Sequence, residues 1–166
     1  TNMVIADCIF RRNRAFSSRA FGGGAAIRGL GGDVRIWNCI FADNRASTGG
    51  AVHVTSGNLR IFNSKFFDNF ATGGRDDRGI VAGAGGGLRV DRALKSRPLP
   101  ILICGCLFQR NDIQRPRNRN GDDGSAVEVY NDITHLPASM ETVAVIKTTF
   151  LENGRRGGAG NVLMIH

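Results

Sequence analysis

The stretch Cys39 to Val54, CIFADNRASTGGAVHV, decides the fold because the chain says nearly the same thing again. CIFRRNRA starts at Cys8 and CLFQRN at Cys106. A Phe followed three residues later by Asn recurs at Phe10/Asn13, Phe41/Asn44, Phe66/Asn69, Phe108/Asn111 and Phe150/Asn153, using five of the ten phenylalanines. Self-similarity of this kind marks a repeat architecture, so the repeat is read before any residue is read as a site.

Seven and five residues before each Phe stand Met3 and Ile5, Val34 and Ile36, Leu59 and Ile61, Ile101 and Ile103, and Val143 and Val145. That is the period-two alternation of a strand. Two residues before the Phe come Cys8, Cys39, Ser64, Cys106 and Thr148, all small, as a crowded inward position beside a bend requires. The parity of the pattern slips by one between the upstream run and the Phe, so a bend lies between two strands. Downstream of the Asn a second signature returns as GAAI at Gly24, GGAV at Gly49, GGGL at Gly85 and GSAV at Gly124, with a looser GGAGNV from Gly157. Glycine there supplies the close approach or positive backbone angle of a tight corner.

Successive phenylalanines lie 31, 25, 42 and 42 residues apart, so the shortest unit is one coil and the excess bulges out as loops. The expectation is an all-β chain: a right-handed parallel β-helix, a solenoid of about five coils with inserted loops, forming one domain over residues 1–166. Like positions stack about 4.8 Å apart, so the five coils stand roughly 24 Å tall. Phe then stacks on Phe. Asn stacks on Asn, and a row of side-chain amides passes hydrogen bonds from coil to coil where a row of Asp would repel itself.

The tetrads FRRN, FADN, FFDN, FQRN and FLEN, alternating with GGAI-like tetrads, resemble the polymorphic outer membrane protein repeat named for chlamydial surface proteins. The match covers almost the whole chain. The resemblance implies a pectin-lyase-like β-helix, used in that family as the extracellular passenger of an autotransporter that mediates adhesion. It thereby favours an extracellular, cell-surface or lumenal setting. The arginine bias is unusual for such a passenger, and an accessory subunit of a large complex is the other expected setting.

Composition agrees with a folded domain: 166 residues, 42% of them apolar, with 23 glycines. No apolar run approaches the roughly 18 residues of a membrane span. The net charge is +8, and since only Lys65, Lys95 and Lys147 of the 22 basic residues are lysines, 19 are arginines. An acidic surface is one partner that fits. Met3 and Ile5 already occupy inward positions, and the last residues, NVLMIH, are still apolar. Neither end shows a polar cap, so the expectation is a segment of a longer solenoid, flanked by further coils, or a unit that docks end-on.

Candidate chemistry is sparse. Cys8 and Cys39 fall on adjacent coils within disulfide reach, but buried thiols in a ladder with Cys106 are the expected reading. The position two after the Phe carries Arg12, Asp43, Asp68, Arg110 and Glu152. Asp43 and Asp68 stack as a carboxylate pair, which acid–base chemistry on a polysaccharide could use. The structural alternative is a solvated turn flanked by Arg12 and Arg110. Asp122 and Asp123, in NRNGDDG, have the flavour of a calcium loop without its ligand spacing, so no metal and no cofactor are expected. Arg115, Arg117 and Arg119 concentrate charge in one insert without an interleaved aromatic, so a nucleic-acid site is not expected. Arg35 and Arg60 point outward in register and call for a counter-charge, so with those three they are the candidate partner-binding residues. His53, His135 and His166 support no triad. Non-enzymatic contact with other proteins is therefore the leading expectation; a carbohydrate-active or glycan-binding β-helix is the alternative.

Overall fold

The computed structural model describes residues 2–15, 23–76, 79–81, 84–92, 100–114, 126–131, 143–154 and 163–165. Among them the chain is all-β, and apart from one antiparallel hairpin every pairing is parallel. Three parallel sheets stack layer on layer, the arrangement of a parallel β-solenoid. The largest has eight strands: Asn2–Ala6, Ile27–Trp37, Val52–Phe62, Leu88–Arg92, Ile101–Cys104, Val127–Asn131, Val143–Ile146 and Leu163–Ile165. A five-stranded sheet collects Ile9–Arg11, Ile40–Ala42, Lys65–Phe67, Leu107–Gln109 and Thr149–Leu151. Arg14–Ala15, Arg45–Ala46, Phe70–Ala71 and Asp112–Ile113 form a four-stranded sheet.

The long strands Ile27–Trp37 and Val52–Phe62 turn a corner midway, where Gly31 (φ 71°), Gly32 (φ 75°) and Ser56 (φ 57°) are left-handed. Their first halves stack with Leu88–Arg92 and Val127–Asn131, and their second halves with Ile101–Cys104 and Val143–Ile146. Val34, Ile36, Leu59, Ile61, Ile101 and Ile103 are buried, as the alternation demands.

The parity slip has a physical cause. Asp7, Asn38, Asn63, Gly105 and Lys147, each three before its Phe, all have φ between 47° and 65°. A second left-handed row, Arg12, Asp43, Asp68, Arg110 and Glu152, follows the Phe at φ 52° to 58°. A non-glycine residue there costs about 1 kcal/mol or more. The hydrogen-bond ladder continues across both bends and offsets that cost: Asn38 N donates to the Phe62 carbonyl (3.1 Å) and Asp43 N to the Phe67 carbonyl (3.0 Å).

Between the bends the phenylalanines form a column. Ring centroids from Phe10 through Phe41, Phe66 and Phe108 to Phe150 are 5.0, 4.7, 4.5 and 5.3 Å apart, with planes within 14° of parallel. Beside them runs the asparagine ladder. Nδ2 of Asn13, Asn44, Asn69 and Asn111 donates to Oδ1 of the next Asn, Asn153 closing the row, at 2.9, 2.9, 2.8 and 3.1 Å. Each Oδ1 also accepts the backbone N–H of the Asn before it. The second Nδ2 proton reaches a Phe carbonyl, as from Asn69 to Phe41 (3.0 Å). Buried amides are thus satisfied on both ends, which is why Asn and no other residue suits the row.

The small residues two before each Phe are more than small. Their S–H or O–H groups lie against the carbonyl two residues back: Cys39 Sγ 3.1 Å from Trp37 O, Ser64 Oγ 2.8 Å from Phe62 O, Cys106 Sγ 3.3 Å from Cys104 O, Thr148 Oγ1 3.0 Å from Ile146 O. Cysteine, serine and threonine are interchangeable here because each fits and each can donate. At the glycine corner a Cβ on Gly49 (φ 55°) would stand 2.4 Å from the Val52 carbonyl oxygen, and one on Gly85 (φ 59°) 2.1 Å from that of Leu88. No side chain fits either place.

Part of the excess between layers, expected to bulge out as loops, is itself strand. Residues 70–84 begin with the strand Phe70–Ala71 and contain the hairpin Gly74–Asp76 with Gly79–Val81. Residues 91 and 92, 112 and 113, and 131 likewise complete strands. Two-residue strands are too short to show alternation, and so the four-stranded sheet escaped the pattern.

Candidate functional site

The second left-handed row faces outward between the five-stranded and four-stranded sheets. It borders a groove of about 510 Å³ lined by Arg11, Asp43, Arg45, Asp68, Asn69, Phe70, Arg110, Asp112 and Glu152. Asp43 and Asp68 come from adjacent layers, paired through Ile40–Ala42 and Lys65–Phe67. Neither carboxylate stands without a cation: Arg110 grips Asp68 with two hydrogen bonds, Nε to Oδ1 at 2.8 Å and Nη2 to Oδ2 at 2.9 Å, and Arg12 lies 3.8 Å from Asp43. The Asp68 hydrogen bonds, then its charge, strengthen Arg110's hold on its proton. The geometry is that of a solvent-facing ion-pair row, R–D on one side and D–R on the other. On the adjoining sheet the outward row is Arg14, Arg45, Phe70 and Asp112, in register. The Arg45 guanidinium lies 5.8 Å from the Phe70 ring centre, and its Nε is buried without a hydrogen-bond partner among the described residues. The Arg45–Phe70–Asp112 row is a part of the groove that sequence reasoning missed; Ala15, Ala46, Ala71 and Ile113, five after the first four Phe of the repeat, were the available signal.

Arg35 and Arg60 are brought together on the outer face, in register on adjacent strands. The counter-charge beside Arg35 comes from its own strand, Asp33 Oδ2 at 3.7 Å. Asp33 also accepts a hydrogen bond from Asn58 Nδ2. Arg115, Arg117, Arg119, Asp122 and Asp123 lie outside the described residues, as do His135 and His166.

A buried polar network that the sequence did not reveal crosses the first half of the large sheet. His53 Nε2 is 2.7 Å from Asp91 Oδ2, Arg89 Nε is 2.6 Å from Asp91 Oδ1, and Arg89 Nη1 is 3.3 Å from Glu128 Oε1. Arg89 also lies over Tyr130. Burial would raise the Asp91 carboxyl, but the His53 hydrogen bond and the Arg89 charge together hold it below the usual carboxylate value. Outward side chains at 2% exposure (Glu128) and 3% (His53) are tolerable only when paired in this way. Gly23 packs so closely that a Cβ there would meet His53 Nδ1 at 2.2 Å. The Nδ1 edge of the imidazole is thus packed against the Gly23 backbone.

The cysteines Cys8, Cys39, Cys104 and Cys106 are all free thiols; Cys39 and Cys106 are buried, but Cys8, expected to be buried with them, is exposed on the first layer. Burial pushes the Cys106 thiol up to about 11, and the thiolate is the reactive form. With a thiol-alkylating reagent at pH 8, exposed Cys8 is expected to react first while Cys39 and Cys106 react only on unfolding. Mass spectrometry of the peptides reads this; rapid native labelling of Cys106 would contradict the ladder.

No protein-family model, no curated protein and no solved structure matches the chain. Among the described residues no helix is long and apolar enough to cross a membrane.

Proposed function

We propose that the chain is a non-enzymatic interaction module: a right-handed parallel β-helix of about five coils, of the polymorphic outer membrane protein type, that presents its outer faces to other proteins. Right-handedness follows from the general preference of parallel crossovers, and the coil count from the five rungs of Phe and Asn. The observation that carries the function is the outer surface. Val4, Ile9, Leu30, Trp37, Ile146 and Leu151 are all exposed, Leu30 and Trp37 on layers whose inward residues are buried and the other four on layers whose inward residues are half-buried. Apolar surface of this kind on a rigid stack marks a contact site. The candidate carboxylate pair, tied to Arg12 and Arg110, is built as part of that surface. Two settings suit the module, an adhesin-like surface segment and an accessory subunit of a larger assembly. Isolation of the native protein from its source, with mass spectrometry of everything that co-elutes, tests the reading: stoichiometric protein partners are expected, and a protein that elutes alone and binds no other chain overturns it.

The groove itself favours a second reading, glycan binding, because it combines arginines, carboxylates and the Phe70 ring in one cleft. Calorimetric titration with acidic and neutral oligosaccharides separates the two. Saturable binding abolished by Phe70→Ala supports the glycan reading, and no heat with any sugar removes it.

A further inference from the structure

The two halves of the large sheet treat their outward side chains in opposite ways. In the first half the outward row Arg28, His53, Arg89, Glu128 is in register; His53 and Glu128 are buried, Arg89 is half-buried, and all three are paired. In the second half the outward rows are half-buried to exposed. One is Trp37, Phe62, Cys104 and Ile146, in register on four successive strands, with Trp37 at 53% exposure and Ile146 at 46%. Trp37 and Phe62 form one aromatic surface, their ring centres 5.5 Å apart. The row beside it is Arg35, Arg60, Leu102 and Ala144. Among the described residues the carboxylate beside this row is Asp33, paired with Arg35.

An apolar column flanked by two stacked cations defines the shape and charge of what covers it. Four layers at about 4.8 Å span about 14 Å, which is the rise of about ten helical residues at about 1.5 Å each. A sheet face buries its apolar stripe against another element, commonly a helix. The layer spacing also lies close to the helical pitch of about 5.4 Å, and side chains at i and i+4 sit about 5–6 Å apart. Carboxylates at i and i+4 along one flank of such a helix therefore meet Arg60 and Arg35 in turn. The aliphatic continuation through Leu102, Ala144 and Ile146 offers no stacking platform for bases, which separates this face from a single-strand nucleic-acid surface.

Resting on the interaction-module reading, we infer that this open face docks an acidic amphipathic helix of a protein partner. Such a helix runs along the stack axis, with its apolar side on Trp37, Phe62 and Ile146 and its carboxylates on Arg35 and Arg60. Trp37 is the chain's single tryptophan, so its fluorescence reports the face directly. The test titrates the intact protein with a synthetic peptide of about 14 residues, long enough for a marginal helix, with leucine and alanine on one side and glutamates at i, i+4 and i+8. A second peptide carries lysine in place of each glutamate, and oligothymidylate is the third ligand. The expected result is a saturable blue shift of Trp37 with the glutamate peptide, weaker with the lysine peptide by at least about tenfold, and lost in Trp37→Ala by a second, dye-based readout. No shift with the glutamate peptide, equal affinity for both peptides, or tighter binding of oligothymidylate would overturn the inference. If stoichiometric partners co-purify while the peptide fails, only this surface assignment falls; if no partner exists, the broader reading falls with it.

Discussion

Replacement of Asn69 by Asp is expected to destabilise the protein by about 3–5 kcal/mol at pH 7, enough to unfold a marginally stable domain. Asn69 is fully buried. Its Oδ1 accepts from Asn44 N and Nδ2, and its Nδ2 donates to Asn111 Oδ1 and the Phe41 carbonyl. A carboxylate keeps the first pair of bonds and turns the second into two acceptor–acceptor contacts at about 3 Å. The charged form is disfavoured in the fold, so the introduced carboxyl has its folded pKa raised above the unfolded value of about 3.9. Between those two values the folded state binds more protons than the unfolded state, and stability falls as pH rises. The penalty of Asn69→Asp should therefore shrink at about pH 4 relative to pH 7, and urea unfolding at the two pH values measures it. A loss that is independent of pH would mean that the ladder is not closed at this rung.

Phe66→Ala is expected to cost about 3–5 kcal/mol. Phe66 is fully buried between Phe41 at 4.7 Å and Phe108 at 4.5 Å, so truncation removes two stacking partners and opens a cavity between layers that the ladders hold at fixed spacing. Phe10 is only partly buried and has Phe41 as its stacking partner, at 5.0 Å. Phe10→Ala should cost about half as much, since the area removed from water is smaller. Thermal unfolding of the two variants side by side checks the order, and equal losses would mean that the column does not act as a stack.

The positions that read clearly from the sequence are those where one residue type does one job in every layer. Phe41, Phe66 and Phe108 must stack, Asn44, Asn69 and Asn111 must link, and Val34, Leu59 and Ile101 must point inward, so identity and spacing both recur. Outward positions carry no such constraint. Arg12, Asp43, Asp68, Arg110 and Glu152 share one left-handed conformation, yet neither Arg nor Glu signals it as Gly or Asn would. The groove residues Arg45, Phe70 and Asp112 occupy one register position with three different chemistries, and the two-residue strands that hold them give no alternation to read. The tie among His53, Arg89, Asp91 and Glu128 was hidden for another reason. Inserts of unequal length separate residues that the register brings side by side, so no fixed spacing links them. The reading of Arg35 and Arg60 as an outward pair needed only the alternation; that Trp37 and Phe62 lie beside them follows from the same register and could have been read with it.

Hydrogen exchange of the asparagine side-chain amides, resolved by NMR, tests the stacked-ladder claim most directly. Each Nδ2 group of Asn44, Asn69 and Asn111 has two acceptors in neighbouring layers and lies in the buried interior. Their protons should exchange as slowly as the backbone amides of the central strands, opening only with global unfolding. Side-chain amides that exchange at the rate of exposed asparagines in a folded sample would contradict the ladder, and with it the solenoid on which the proposed interaction surfaces depend.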